Sequence, residues 1–112
     1  MPKVHVLALP VGKEPRQVTI ESTSLADAYS LVNGGPLEMV PITDHIYMWC
    51  NEEGKLSGLP VNFVMFGNGG RVDPVVGDVF FSTDDGNGEI DSLTDEQAEF
   101  LIDMLQRRPG AH

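Results

Sequence analysis

The sequence predicts an α+β domain, a mainly antiparallel sheet of about five to six strands with two helices packed on one face. Strand-like runs follow one another across short turns rich in glycine and proline, and short turns join antiparallel neighbours. Two further segments combine an apolar stripe with residues that begin a helix. With 112 residues, 41% of them hydrophobic, the chain can bury one modest core. We therefore expect a single domain over residues 1–112.

The first two elements are predicted to form a β-hairpin. Residues 3–9 are almost continuously apolar or β-branched up to Pro10, which is typical of a strand buried on both faces. Residues 16–21 alternate between apolar and polar side chains, the period of a half-exposed strand. The first strand is therefore expected inside the sheet, with the second paired to it.

A short first helix is predicted after Ser24. This residue supplies an N-cap hydroxyl, and Asp27 lies in the first turn, at the positive end of the helix dipole. An apolar stripe follows at helical spacing and consists of Leu25, Ala28, Tyr29 and Val32. The Gly-Gly-Pro sequence at residues 34–36 is expected to end this helix.

The middle of the chain predicts further strands. Residues 37–42 and 45–50 read as a pair around a short turn, and residues 61–66 read as another strand. Residues 75–82 are expected to form one more strand, interrupted at Gly77.

The last helix has the clearest beginning in the sequence. Thr94 and Gln97 have the spacing of a capping box, and two acidic residues occupy the first turn. Its predicted core stripe consists of Ala98, Leu101, Ile102 and Leu105. Pro109 and Gly110 are expected to end it.

Charge and composition narrow the classes of function. Seventeen acidic residues face seven basic ones, a formal charge of −10, so we expect no direct binding of nucleic acid phosphates. The single Cys50 forms no internal disulfide, and no segment reaches the length of a membrane span or a signal peptide. A cytoplasmic protein with no membrane partner is expected.

The segment 51–62, Asn-Glu-Glu-Gly-Lys-Leu-Ser-Gly-Leu-Pro-Val-Asn, resembles the hallmark of a family of phages and actinobacteria, domain of unknown function 3846. The likeness extends to residues 75–81 and 92–97, and more loosely to residues 25–35. The resemblance implies a phage or actinobacterial origin, and hence a host cytoplasm for a phage-encoded chain. It carries over no catalytic residues.

Two surfaces are candidates for binding a protein partner. The first is the central turn, with the candidate contacts Asn51, Glu52, Glu53, Lys55 and Asn62, held by Gly54, Gly58 and Pro60. The same residues are equally typical of turn chemistry, in which Gly54 supplies a positive φ. The second is the acidic helix face that carries Asp95, Glu96, Glu99 and Asp103, which either attracts a basic partner or only keeps the chain in solution.

A small-ligand site is the main alternative to a protein-binding surface. The loop Asn68, Gly69, Gly70 and Arg71 can offer amide groups and one cation to a nucleotide signal, within an oligomer, but it lacks the lysine of a phosphate loop. The acidic turn from Asp84 to Asp91 imitates a calcium loop, yet threonines stand at its first and last ligand positions, 83 and 94. An acidic turn without metal is the preferred interpretation.

An enzyme is the third interpretation. Cys50 needs a base, and His45 lies an odd number of residues away on the same predicted strand, which places the two on opposite faces. His5 is the other candidate base, and two internal histidines are few for a metal site. We therefore predict a non-enzymatic, acidic accessory module without metal or cofactor that binds a protein partner, its oligomeric state left open.

Overall fold

The computed structural model describes residues 3–66 and 72–108. In chain order the elements are β1 (Lys3–Leu9), β2 (Arg16–Glu21), α1 (Leu25–Ser30), β3 (Leu37–Pro41), β4 (Tyr47–Asn51), β5 (Val61–Phe66), β6 (Val72–Val76), β7 (Val79–Asp84), β8 (Ile90–Asp91) and α2 (Asp95–Gln106). Within these ranges, no helix combines the length and apolar character needed to cross a membrane.

Six strands form one antiparallel sheet, as predicted. The order is β2-β1-β7-β4-β3, and β8 pairs with β7. The predicted hairpin of β1 and β2 is confirmed, with Val4 opposite Ile20 and Val6 opposite Val18. β1 lies inside the sheet because β7 pairs with its other edge. The α+β class is therefore confirmed.

The sheet is covered on both faces. The consecutive residues Phe80 and Phe81 are both fully buried, and neighbouring side chains of a strand point to opposite faces. Phe80 belongs to a cluster with Ala28 of α1 and with Val32, which follows α1 in the chain. Phe81 belongs to a second cluster that contains residues of α2, β5 and β6. The sheet is therefore the middle layer of the molecule.

The prediction that both helices pack on one face is not confirmed. Leu101 and Leu105 of α2 belong to the cluster of Phe81, whereas Ala28 of α1 belongs to the cluster of Phe80. β1 explains why the helices lie on opposite faces, because its apolar residues belong to both clusters. A strand that is apolar on both faces needs a cover on each.

The predicted interruption at Gly77 is confirmed, but the prediction of one strand over residues 75–82 is wrong. Gly77, with φ of +77°, separates β6 from β7, and the two strands enter different sheets. β6 pairs with β5 in a two-stranded hairpin, which packs on the α2 face through Phe63 and Val75. This placement of the β5–β6 hairpin creates the groove that forms the candidate site.

Both predicted helix beginnings are confirmed. The Ser24 hydroxyl accepts a hydrogen bond from the Asp27 amide at 3.1 Å, and Thr94 and Gln97 form a reciprocal capping box. α1 ends at Ser30, earlier than the apolar stripe suggested, because the chain turns at Asn33, where φ is +62°.

Candidate functional site

An open groove of about 300 Å³ lies between the main sheet and the β5–β6 hairpin. Its lining comes from β3, β4, β5 and β6 and from the turn that follows β4. Apolar and sulfur-bearing side chains line it, namely Val40, Met48, Cys50, Met65 and Val75, together with the charged side chains of Glu38, Glu52, Lys55 and Asp73 and the apolar Leu56. We call this cleft the β3–β6 groove.

The turn over residues 52–58 is fixed by its own backbone. The Ser57 amide donates to the Glu53 carbonyl at 2.8 Å, and the Leu59 amide donates to the Gly54 carbonyl at 3.0 Å. The turn is anchored to its surroundings as well, because the Glu52 amide donates to the Pro36 carbonyl at 2.8 Å. These bonds hold the exposed side chains of the turn beside the β3–β6 groove.

The predicted role of Gly54 is wrong. Gly54 does not adopt a positive φ; Gly58 does, at +71°. Gly54 is buried, and a Cβ there would lie 3.0 Å from Val76 Cγ2 and 3.3 Å from the Asn51 carbonyl oxygen. Glycine is needed at position 54 for space, since β6 approaches the turn closely.

Two of the predicted contact residues are engaged inside the protein. The Asn51 amide group donates to the Val32 carbonyl at 3.0 Å, and its oxygen accepts from the Glu53 amide at 2.8 Å. Asn62 donates to the Leu9 carbonyl at 2.8 Å and to the Gly77 carbonyl at 2.9 Å. Asn51 therefore ties the end of β4 to the chain that follows α1, and Asn62 ties β5 to β1 and to the link between β6 and β7.

The other predicted contacts of the turn are exposed. Glu52 and Lys55 line the β3–β6 groove, whereas Glu53 is exposed without lining it. Lys55 forms an ion pair with Asp73 across the groove at 3.1 Å. Leu56 has 92% of its surface exposed, an unusual environment for a leucine.

The groove carries an excess of negative charge. Its lining includes three carboxylates, Glu38, Glu52 and Asp73, and one ammonium group, Lys55. At neutral pH the lining has a formal charge of −2. Its positively charged group, the Lys55 ammonium, is paired with Asp73. The unbalanced carboxylates attract positively charged groups into the groove.

Cys50 lies in the groove wall as a half-buried thiol. Its Sγ donates toward the carbonyl of Glu38 at 3.7 Å and toward Oε1 of the same residue at 3.8 Å. Burial, followed by the negative charge of Glu38, raises the pKa of Cys50 from the ordinary 9.0 to about 11. The thiol is therefore protonated at neutral pH and is a weak nucleophile.

The candidate bases do not share this groove with Cys50. His5 lines a separate cleft next to the beginning of α2, and its Nδ1 lies 3.1 Å from the Thr19 hydroxyl. His45 is exposed in the loop before β4, and its backbone amide donates to Thr43. Within residues 3–66 and 72–108, no three His, Cys, Asp or Glu side chains cluster as a metal site would require.

The acidic helix face is a separate surface. Asp95, Glu96 and Glu99 are exposed on α2 and are not among the residues that line the β3–β6 groove. The structure thus brings Glu52 and Lys55 together with Glu38 and Asp73, but it does not bring the acids of α2 to the same place.

The structure describes one of the two candidate ligand loops, the acidic turn, and no residue of that turn lines the groove. Asn68, Gly69, Gly70 and Arg71 lie outside the described residues. In the acidic turn, the Asp85 carboxylate accepts bonds from the Asn87 amide at 2.8 Å and the Glu89 amide at 3.3 Å. That carboxylate therefore closes the turn between β7 and β8.

Among the groove residues that sequence reasoning missed are Glu38, Leu56 and Asp73. Leu56 carried a usable signal, because it is a large apolar residue inside a polar, glycine-bearing turn. Glu38 and Asp73 carried none, because their position depends on how the β5–β6 hairpin folds over the sheet.

The chain matches a known family over almost its whole length. A family model described as Domain of unknown function (DUF3846) matches residues 4–106, which confirms the resemblance found in the turn sequence. No curated protein and no solved structure matches the chain.

Proposed function

The chain belongs to the DUF3846 family, and we propose that it is a non-enzymatic binding module that docks a basic protein partner in the β3–β6 groove. The partner contacts the exposed turn side chains Glu52, Lys55 and Leu56 and fills the groove beside them. Asn51 and Asn62 contribute by holding the groove in shape. The proposal keeps the central turn as the recognition element.

The observation that carries this proposal is the position of Leu56. A backbone fixed by its own hydrogen bonds holds this leucine almost fully in solvent, next to the apolar lining formed by Val40, Met48 and Met65. The charged side chains of the lining are exposed, whereas Val40, Met48 and Met65 are buried or half-buried. An apolar centre within a polar rim is the usual anatomy of a protein interface.

Charge supports a basic partner. The formal charge of the chain is −10, and the groove itself carries unbalanced carboxylates. Long-range attraction raises the rate of encounter with a positive protein. In this proposal the acids of α2, Asp95, Glu96 and Glu99, accelerate the encounter without forming the contact itself.

The thiol environment argues against the enzymatic alternative. A thiol nucleophile needs a lowered pKa or a neighbouring base, whereas burial and Glu38 raise the pKa of Cys50 to about 11. For the small-ligand alternative, the groove volume of about 300 Å³ is at the low end for such sites. Nothing in the described residues favours a nucleotide over a protein side chain.

The proposed setting is the cytoplasm, that of the host if the chain is encoded by a phage. In this setting the module acts as an accessory protein on a cellular partner. The single cysteine fits a reducing compartment, since it has no disulfide partner in the chain.

The test compares capture of partner proteins from a host lysate by the unchanged immobilised chain and by three variants of it. The groove variant combines Glu52→Lys with Leu56→Ser, both at exposed positions. We expect this variant to weaken retention of the main captured protein by about tenfold or more, because it removes an apolar contact and reverses a charge.

Two matched controls locate the effect. Glu53→Lys changes the same charge in the same turn but outside the groove lining, and it is expected to retain the partner. The combination of Asp95→Lys, Glu96→Lys and Glu99→Lys is expected to slow association while leaving dissociation unchanged. Retention that survives the groove variant but is lost with the α2 variant would transfer the binding site to the helix and refute the proposal.

A further inference from the structure

β3 is an edge strand whose outer side is not paired by any strand in the described parts of the chain. It runs along the β3–β6 groove, and its residues Glu38 and Val40 line that groove. A strand edge presents backbone groups that can pair with another chain. The edge and the groove therefore form one continuous surface.

The register of β3 shows which backbone groups point outward. The Glu52 amide donates to the Pro36 carbonyl, and the Ile42 amide donates to the Ile46 carbonyl. Hydrogen-bonded pairs alternate along an antiparallel ladder, so Glu38 and Val40 bond to β4. The backbone groups of Leu37 and Met39 consequently point away from β4.

We infer that the partner binds as an extended segment that pairs antiparallel with β3 and adds a seventh strand to the main sheet. This inference rests on the proposed function and specifies the form of its partner. The antiparallel direction continues the direction of every other pair in the sheet. The partner amides bond to the outward groups of Leu37 and Met39.

The side chains of the partner are specified by the same register. Residues opposite Glu38 and Val40 form non-hydrogen-bonded pairs, in which side chains lie close together on the groove face. A lysine or arginine fits opposite the exposed Glu38, and an apolar residue fits opposite Val40. Because the strands are antiparallel, the partner segment has, from its N-terminal to its C-terminal end, an apolar residue, any residue and then a basic residue.

A second copy of this chain fits the edge less well. Each copy carries a formal charge of −10, which opposes association. Pairing of β3 with itself around Met39 would place Pro41 opposite Leu37, and proline has no amide to donate. Charge complementarity thus favours a basic segment of another protein.

The test uses a synthetic probe, acetyl-Ser-Thr-Val-Thr-Lys-Thr-Ser-amide, titrated into the isotope-labelled chain of 112 residues and followed by NMR. Shifts are expected at the amides of Leu37 and Met39. The Val and Lys amides of the bound probe point away from β3, so N-methylation of both should be tolerated. N-methylation of the two Thr residues that flank Lys should weaken binding by about tenfold, because it removes two hydrogen bonds.

Protein variants provide matched controls. Met39→Pro removes one outward donor, and proline is tolerated on the outer side of an edge strand, so binding should be lost while β3 stays paired to β4. Glu38→Lys should weaken binding of the Lys probe and strengthen binding of a probe that carries Glu in place of Lys. This charge exchange remains informative if Met39→Pro does not fold.

If N-methylation of Val and Lys weakens binding of the probe as much as N-methylation of the two Thr residues that flank Lys, the inference of strand pairing is overturned. If the Lys probe then still requires Glu38 and Leu56, docking in the groove survives as the function. No binding of any basic probe at 1 mM, together with partner capture that ignores the groove variant, would refute both. A dimer detected by sedimentation and abolished by Met39→Pro would assign the edge to a second copy and overturn the inference.

Discussion

At the scale of single residues, Cys50 is the side chain whose chemistry the groove alters most. Its raised pKa couples the thiol to folding. Below pH 9 the thiol is protonated in both the folded and the unfolded chain, so the stabilisation that comes from its raised pKa is fully present. Between pH 9 and about 11 the unfolded chain loses the proton first, and the free energy of unfolding falls as the pH rises.

This coupling predicts the reactivity of Cys50. At pH 8 the folded chain should be alkylated by iodoacetamide about a hundredfold more slowly than the chain in urea, because a shift of two pKa units changes the thiolate fraction by that factor. The rate should rise with pH toward an apparent pKa of about 11. Glu38→Gln should lower that value part of the way, since burial remains as the main cause. An apparent pKa at or below 9 would contradict the described environment of the thiol.

Residues with local roles were predictable and residues with distant partners were not. Ser24 and Thr94 cap helices through atoms three residues away, so the sequence alone indicated them. Gly54 is required by its approach to Val76, and Asn62 by the carbonyls of Leu9 and Gly77. Nothing within a few residues of these positions reveals such contacts.

At the scale of elements, Gly77 directs the chain from the β5–β6 hairpin into the main sheet. Its φ of +77° is costly for other residues, and a Cβ there would lie 2.7 Å from Leu59 Cδ1 and 2.8 Å from Asn33 Oδ1. Asn33 in turn accepts a hydrogen bond from the Asp78 amide at 2.8 Å. The link between β6 and β7 is therefore closely packed, and its backbone conformation favours glycine.

Gly77→Ala is predicted to destabilise the protein by about 2 to 4 kcal/mol, which combines a left-handed backbone with overpacking. Gly86→Ala is the matched control, because Gly86 also has a positive φ, +90°, but a Cβ added there would have nothing within 4 Å. The control should cost about 1 to 2 kcal/mol, the backbone part alone. Urea denaturation of both variants measures the difference, and equal losses would show that Leu59 and Asn33 do not crowd this position.

Strand existence was easier to predict than strand partnership. The apolar pattern located β5 and marked Gly77 as an interruption. It did not show that β6 leaves the main sheet, since a glycine inside a strand pattern is also typical of a bulge. The groove depends on this separation. The sequence pattern therefore could not show that residues of β6 line it.

At the scale of the whole molecule, a central sheet separates two hydrophobic clusters. Phe80 stacks on Trp49, with ring centroids 6.1 Å apart, in the cluster that includes Ala28 of α1. Phe81 packs in the cluster of α2 and the β5–β6 hairpin. The sequence predicted a strand at these phenylalanines, but a strand that is apolar on both faces does not show which helix covers which face.

This layering predicts different consequences for two adjacent substitutions. Phe80→Leu and Phe81→Leu should each cost about 1 to 3 kcal/mol. In hydrogen exchange, Phe81→Leu should reduce protection mainly in α2, β5 and β6, and Phe80→Leu mainly in α1. The same pattern of lost protection in both variants would contradict the assignment of the helices to opposite faces.

The groove as the docking surface is tested most directly by alkylation of Cys50 with and without the captured partner, at one fixed alkaline pH. The partner should slow alkylation by about tenfold or more, because it covers the thiol in the groove wall. As a control, a single cysteine placed on α2 by Cys50→Ala with Glu99→Cys should react at an unchanged rate. Unchanged reactivity of Cys50, with protection of the cysteine at position 99 instead, would contradict the account.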